Sequence, residues 1–365
     1  RHPGATLTVD LEAIGANWRK LAAYTNTSEC GAVVKADGYG LGATKITAAL
    51  YAAGCKRFFV ATIDEAITLR NSVAGKYVIY VFDGLMCANS EMDLDAYKLV
   101  PVLNTPDEIR LWSAYAKEKG GRRAVLAIDT GMNRLGLTPQ EAIYLANDPN
   151  LLKGIELDYV MSHLACADVP KHPMNEQQRM LFDELRVKLP RTKASFANSG
   201  GIFLGQKYHY DLARPGAALY GLTRSCGAPE TMRQVVGLKA KILQIRVVDT
   251  KTTVGYGATH KVSSNTRLAT VAVGYADGYL RSLSNAGYGY AAGLKVPVVG
   301  RVSMDLTVFD ISEVPMDKIV PGDDIELICG RQTVDDIADA AGTNGYEILT
   351  SLGARYARLH KGEVA

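Results

Sequence analysis

The chain has 365 residues, 47% hydrophobic and 22% charged, with a formal net charge of +3; this is a globular composition, longer than one compact domain usually needs. Interspersed charges of such small net size make no single-sign surface, which argues against nucleic acid or an anionic bilayer as the partner and leaves a small molecule. No secretory h-region and no run of about 18 apolar residues occurs, and the six cysteines include no C-x-x-C pair or nearby His cluster. The expectation is a cytoplasmic protein with free thiols and no metal site.

In chain order, from residue 5 to about 225, short β-branched runs alternate with stretches of helical composition: TLTVD, GAVVKA, FFVAT, YVIYVF, LVPVLN, AVLAIDT, LDYVMSHLA, ASFANS and YDLARPG. The alternation predicts βα units, and the nearly continuous apolar runs predict parallel strands buried on both faces. A span of about 220 residues suits a TIM-type (β/α)8 barrel, whose catalytic groups stand where the strands end. Lys35, Asn104, Asp129, His163, Asn198 and Arg214 all stand at or near such ends. After about residue 230 come LKAKILQIRVVDT, RLATVAVGYADGY, KVPVVGRVSMDLTVFDI and DDIELIC, punctuated by Gly, Pro and Asp. They predict a mainly antiparallel β domain. TVDDIADAAG interrupts it as a helix that Thr333 would cap together with Asp336. The expected division is 1–228 for the barrel and 229–365 for the β domain, with the first strand free to join the latter.

Three segments carry chemistry. In VVKADGYG, Lys35 ends an apolar strand at a barrel mouth; there a partly desolvated amine would have a lowered pKa and form a Schiff base with an aldehyde cofactor. Read alone, it is better explained as a snorkelling surface lysine. In HYDLARPGAALYG, Gly216 would let backbone N–H groups approach an anion, and FANSGG, with Asn198 and Ser199, forms a similar loop one unit earlier; together they suggest a phosphate cradle. Tyr256, in VGYG, is a poor base at its ordinary pKa of about 10 unless a cation stabilises its phenolate, and His163 and Arg214 are the candidates for that neighbour. Each reads equally as a packed or hydrogen-bonded structural residue.

Taken together, VVKADGYGLG, IDTGMNRLG, MSHLA, FANSGG, ARPG, VGYG and RVSMD resemble the alanine racemase family, fold-type III pyridoxal-phosphate enzymes, essentially from end to end. The resemblance implies an isomerase interconverting L- and D-alanine, for peptidoglycan precursors or alanine catabolism, by a two-base mechanism on the imine of pyridoxal 5'-phosphate. Lys35 would bind the cofactor, with Tyr39, Ser199, Gly216, Ala217 and Tyr346 around its phosphate, His163 and Asn198 beside it, and Arg214 on the pyridine nitrogen. Lys35 would serve the D-face and Tyr256 the L-face, with a hydrogen-bonded His163–Arg214 chain tuning the tyrosine. Arg134 and the Met304 backbone N–H would hold the substrate carboxylate, supported by Asp305 and Tyr275. Tyr256, Met304 and Asp305 would come from the other subunit of an obligate homodimer with two shared sites. Many relatives have a lysine two residues before the Asp of IDTGMNR, carbamylated to brace the arginine; Ala127 stands there, so chloride, another small anion or water is expected beside Arg134. An Arg214 rather than a Glu at the ring nitrogen argues against a decarboxylase of similar architecture, and the C-terminal segments argue against a non-catalytic cofactor carrier. A broad-specificity or serine racemase stays open, because one methylene or hydroxyl is worth only about 1–3 kcal/mol in a pocket.

Overall fold

Apolar runs with no polar face form the parallel sheet that they predict. In the computed structural model, which describes residues 3–229 and 232–363, parallel strands occupy Glu29–Cys30, Ala32–Val33, Arg57–Val60, Val78–Val81, Val100–Leu103, Arg122–Ala127, Ile155–Met161, Lys193–Ser195 and Leu212–Ala213. They pair in that order from Ala32–Val33 to Leu212–Ala213, which returns to Glu29–Cys30. The first two are one strand interrupted at Gly31, so the ring closes with eight. Gly31 fits between the flanking strands because a Cβ there would lie 3.1 Å from both the Arg57 carbonyl and the Phe59 ring; its N–H still reaches the Ala213 carbonyl at 2.9 Å.

Three of the crossover helices start with the same device. TIDE, TPDE and TPQE place Thr62, Thr105 and Thr138 as N-caps, with Glu65, Glu108 and Glu141 closing reciprocal capping boxes. Glu65 and Glu108 also brace the strand ends: Glu65 accepts from the Ala61 N–H at 2.8 Å and Glu108 from the Leu85 N–H at 3.0 Å.

TLTVD departs from the barrel. The strand Ala5–Asp10 pairs antiparallel with Val236–Val248 and parallel with Ala357–Lys361, as part of the second sheet. The physical reason is written in its alternation: Ala5, Leu7 and Val9 are buried and the residues between them are not, the pattern of a sheet with one covered face. Val236–Val248 is the spine of that sheet, pairing antiparallel also with Thr266–Val271 and Asp324–Ile328. The helix Val334–Ala341 carries the predicted Thr333–Asp336 capping box. A second helix, Gly345–Ser351, follows, too short to show a period in the sequence.

Asp10 caps the following helix, Leu11–Thr25, through the Ala13 N–H. From its buried face, Asn17 clamps the crossing between the two sheets: it donates to the Leu219 and Arg233 carbonyls at 3.1 and 2.9 Å and accepts from the Arg233 N–H at 2.8 Å. Each buried backbone group left unmatched costs about 1–3 kcal/mol. Asn17→Ala should therefore lower the unfolding free energy by about 3 kcal/mol, read as a lower denaturant midpoint; an unchanged midpoint would contradict the clamp.

Candidate active site

At the C-terminal end of the barrel a cavity of about 940 Å³ opens. Its wall includes Lys35, Tyr39, Arg134, His163, Asn198, Ser199, Arg214, Gly216, Ala217 and Tyr346, along with Asn104, Asp129 and Ala127. Strand ends supply most of these groups, as the barrel rule requires; Tyr346 is brought in by the helix Gly345–Ser351 of the second sheet's domain.

The backbone after Lys35 makes an unusual turn. Ala36, Asp37, Gly38, Tyr39 and Gly40 all have positive φ, between 51° and 78°, a left-handed turn that L-residues avoid. Local bonds over-determine it. The Gly38 N–H reaches the Val34 carbonyl at 2.9 Å, Glu65 accepts from the Ala36 N–H at 2.6 Å, and Asp37 accepts from the Ala43 N–H at 2.8 Å. Arg358 donates to the Gly40 carbonyl at 2.6 Å and to the Leu352 and Gly353 carbonyls, tying the turn to the end of the Tyr346 helix. The result points Lys35 and Tyr39 into one cavity. The Lys35 ammonium stands 5.9 Å from the Phe82 ring centroid; burial, then Arg134, lower its pKa, while Asp83 and Glu65 partly restore it.

Opposite lies a cradle of small residues and buried hydroxyls. Ser199 Oγ accepts from the Gly216 N–H at 2.9 Å and the Ala218 N–H at 3.2 Å. A Cβ on Gly216 would sit 2.2 Å from the Tyr39 hydroxyl, so only glycine leaves room there. Tyr39 stacks on Tyr220 at 4.3 Å and faces Tyr346 at 6.0 Å. Burial raises both Tyr39 and Tyr346 above the ordinary phenol range, which keeps their hydroxyls protonated as donors. Asn198 is spent on structure: it caps its helix through the Gly201 N–H at 2.9 Å and donates to the Leu164 carbonyl at 3.3 Å.

Arg214 is buried on the floor. Its guanidinium donates to Ser195 Oγ and, at 2.6 Å, to the Ser162 carbonyl, while its Nε–H has no partner among the described residues. Burial lowers its pKa to about 9, still a cation at neutral pH. No hydrogen bond joins it to His163 among the described residues; the two interact through charge. Burial, followed by Arg214, Arg134 and Lys35, pushes His163 down to about 3, leaving the imidazole neutral. Ser162 and Ser195, the partners that orient Arg214, are residues that sequence reasoning missed, because a backbone carbonyl just past one strand and a serine ending another carry no signal of their own. Asp83 was also missed, although it follows the strand Val78–Val81 as Lys35 follows its own.

Arg134 sits on the loop after Ala127, exposed and without an ion pair among the described residues. Asp129 folds that loop by accepting from the Gly131 and Met132 N–H groups, both at 2.8 Å. The remaining expected residues are elsewhere. Tyr256, Tyr275, Met304 and Asp305 do not line this cavity; they lie on loops of the second sheet's domain, with Tyr256 72% and Met304 54% exposed. Gly255 and Gly257, with φ of 73° and 71°, present Tyr256 outward. The chain therefore holds a cofactor-sized cavity with a lysine, and presents on its surface the tyrosine expected to work beside that lysine.

Comparison with known proteins places the chain in a family. Residues 9–224 match the family model "Alanine racemase, N-terminal domain" and residues 235–360 match "Alanine racemase, C-terminal domain". The chain is 48% identical over 360 residues to a protein of Mesorhizobium japonicum named "Alanine racemase, catabolic", covering 98% of this chain and 94% of the relative. It is 49% identical to an alanine racemase of Rhodospirillum rubrum, covering 98% of this chain and 96% of the other. A crystal structure of alanine racemase from Bartonella henselae with covalently bound pyridoxal phosphate superposes with a TM-score of 0.94 at 40% identity, over 99% of this chain and 100% of the other. With matching models across both sheets and relatives this similar along nearly the whole length, the chain belongs to the alanine racemase family.

Proposed function

We propose that this protein is a pyridoxal-phosphate-dependent alanine racemase that interconverts L- and D-alanine. The observation that carries the reading is the single cavity in which Lys35 faces both the Ser199–Gly216 cradle and the unpartnered Arg214 Nε–H. These residues fit the cofactor: Lys35 would hold its aldehyde carbon, and Tyr39, Ser199, Gly216, Ala217 and Tyr346 its phosphate. Arg214 would meet the pyridine nitrogen with its Nε–H, a buried donor without a partner among the described residues, of a kind that proteins rarely leave. Bound there, pyridoxal phosphate supplies an electron sink that acidifies the α-hydrogen of the amino acid.

The chain's own groups divide the remaining work. Arg134 takes the substrate carboxylate, and the Met304 N–H adds a second donor. Lys35, its pKa lowered by burial and Arg134, moves a proton at the D-face of the α-carbon. Tyr256 moves one at the L-face. Arg214, a cation at neutral pH, disfavours protonation of the ring nitrogen and so restrains the electron sink, which limits transamination. Neutral His163 adds no further positive charge and completes the wall. Because Tyr256, Met304 and Asp305 do not line the cavity of their own subunit, they serve the cavity of a partner in a homodimer with two shared sites. Six unpaired cysteines support a cytoplasmic setting. Among the described residues no helix is long and apolar enough to cross a membrane.

Chiral chromatography of L-alanine and L-serine incubated with the holoenzyme tests the reading: alanine should racemise fast and serine slowly, comparable rates marking a broad-specificity enzyme. In the same assay Tyr256→Phe should lose at least about a hundredfold in rate with the cofactor still bound, whereas Lys35→Ala should also lose the absorbance of the lysine-bound cofactor. A Tyr256→Phe enzyme of normal rate would remove the tyrosine from the mechanism.

His163 sets a stability slope. Below its ordinary value of 6.5 the unfolded chain takes up a proton that the folded one, at about 3, refuses; stability present above pH 6.5 is thus lost as the pH falls toward 3. Thermal melts of His163→Gln should fall less steeply across that window than the wild type, and parallel curves would contradict a neutral His163.

Beside Ala127, where no carbamate can form, we propose that a chloride or similar small anion braces Arg134. Replacing chloride by a bulky organic anion at constant ionic strength should raise the KM for alanine, and Ala127→Glu should abolish that dependence. Indifference of the wild type to chloride would overturn the bound anion.

A further inference from the structure

Behind the exposed Tyr275 and Met304 loops lies a buried carboxylate that the reaction as described does not use. Asp277 is only 5% exposed. It accepts from the Gly274 N–H at 2.9 Å and from Arg355 in a two-pronged pair, Nε at 2.6 Å and Nη2 at 2.8 Å. Its backbone carbonyl accepts from the Gly353 N–H at 3.0 Å. The remaining arm of Arg355 donates to Asp305 at 2.7 Å. Bidentate arginine–carboxylate pairs fix orientation as well as distance, so one carboxylate sets three chain segments, 274–278, 303–305 and 353–355, in a single geometry.

The same point joins the two surface loops. The Tyr275 N–H reaches the Ser303 carbonyl at 3.0 Å and the Ala276 N–H reaches the Met304 carbonyl at 2.9 Å. Gly274 lets the backbones touch, since a Cβ there would lie 2.3 Å from the Met304 carbonyl and 2.4 Å from that of Ser303. Yet what this framework presents faces away from its own cavity: Tyr275 is 42% exposed, and neither it nor Met304 lines the wall around Lys35. A stiff, buried support under an outward-facing pair of side chains is what a group delivered to another molecule needs.

We propose that Asp277, acting through Arg355, is a positioning residue for the active site of the opposite subunit: it holds the Tyr275, Met304 and Asp305 loops in the shape that completes the partner's cavity, and does little for its own. This rests on the shared-site reading above. The network touches no reacting atom, so its loss acts through placement, where a displacement of about 1 Å costs up to about a hundredfold in rate.

Hybrid dimers separate action across the interface from action within a subunit. Two differently tagged chains, one Lys35→Ala and one Asp277→Asn, are co-expressed and the mixed dimer is isolated by sequential affinity steps. In it, the one intact Lys35 belongs to the Asp277→Asn subunit and receives its loops from the subunit with normal Asp277. We expect the Asp277→Asn homodimer to lose about tenfold or more in rate with its lysine-bound cofactor absorbance intact, and the hybrid to recover about half of wild-type activity, as one working site in two requires. A Lys35→Ala with Tyr256→Phe hybrid serves as control and should also recover about half. An active control with a dead Asp277 hybrid would overturn the proposal, placing Asp277 in its own subunit's site; an Asp277→Asn homodimer of wild-type rate would overturn it too. An inactive control would overturn the shared-site reading itself and the proposal with it. Arg355→Met, a change at a half-exposed side chain, gives the same pattern of outcomes should Asp277→Asn fail to fold.

Discussion

The left-handed turn after Lys35 is the constraint on which the site depends. A right-handed continuation would carry Tyr39 away from the cavity that Lys35 enters; the reversal keeps the amine and the phenol on one wall. Left-handed geometry costs roughly 1–2 kcal/mol for each non-glycine residue, here Ala36, Asp37 and Tyr39. The offsetting bonds come from three directions: Glu65 from the next crossover helix, Asp37 from within the turn, and Arg358 from the last strand of the other sheet. Gly40 packs so closely on the Tyr346 helix that a Cβ would lie 2.6 Å from the Leu349 carbonyl. The phosphate side and the lysine side of the cavity are thereby one mechanical unit, although their residues are separated by about the whole chain. Strain of this kind persists only where the surroundings over-determine it, and it clusters where function needs fixed geometry.

Charge follows the same logic of fixed placement. Lys35, Arg134 and Arg214 all face the cavity, and their mutual repulsion is tolerated because the expected occupants, a phosphate and a carboxylate, are anions. The neutral state of His163 belongs to this arrangement: a fourth cation among three has nowhere to discharge, and burial removes the water that would screen it. The hydroxyls of Tyr39, Tyr346 and Ser199 then offer hydrogen bonds without adding charge.

Much of this was legible in the sequence, for identifiable reasons. The barrel announced itself because strands buried on both faces must be apolar throughout, and Lys35, His163 and Arg214 stood out as polar interruptions at the ends of such runs. The TLTVD strand falls among the βα units by its position, although its alternation speaks for a one-faced sheet. The helix bearing Tyr346 lacks a long periodic stretch, being seven residues, so only the family likeness pointed to it. The turn after Lys35 was invisible, because ADGYG contains residues that fit many loops and its handedness is imposed by Glu65 and Arg358 from far away in sequence. In place of the expected His163–Arg214 hydrogen bond, the guanidinium donates to Ser195 Oγ and to the Ser162 backbone carbonyl.

The placement of Ala5–Asp10 in the second sheet bears on how the chain is made. It leaves the ribosome before the barrel strands, while its neighbours lie at residues 236–240 and 357–361. The barrel can close once Ala213 has emerged; the first strand cannot be covered until much later, and both its edges wait through that interval. Thr6, Thr8 and Asp10 alternate along it, which lowers the appetite of an open edge for other nascent chains. Sealing of the second sheet then waits for Ala357–Lys361, so the surface that this sheet presents takes shape later than the barrel.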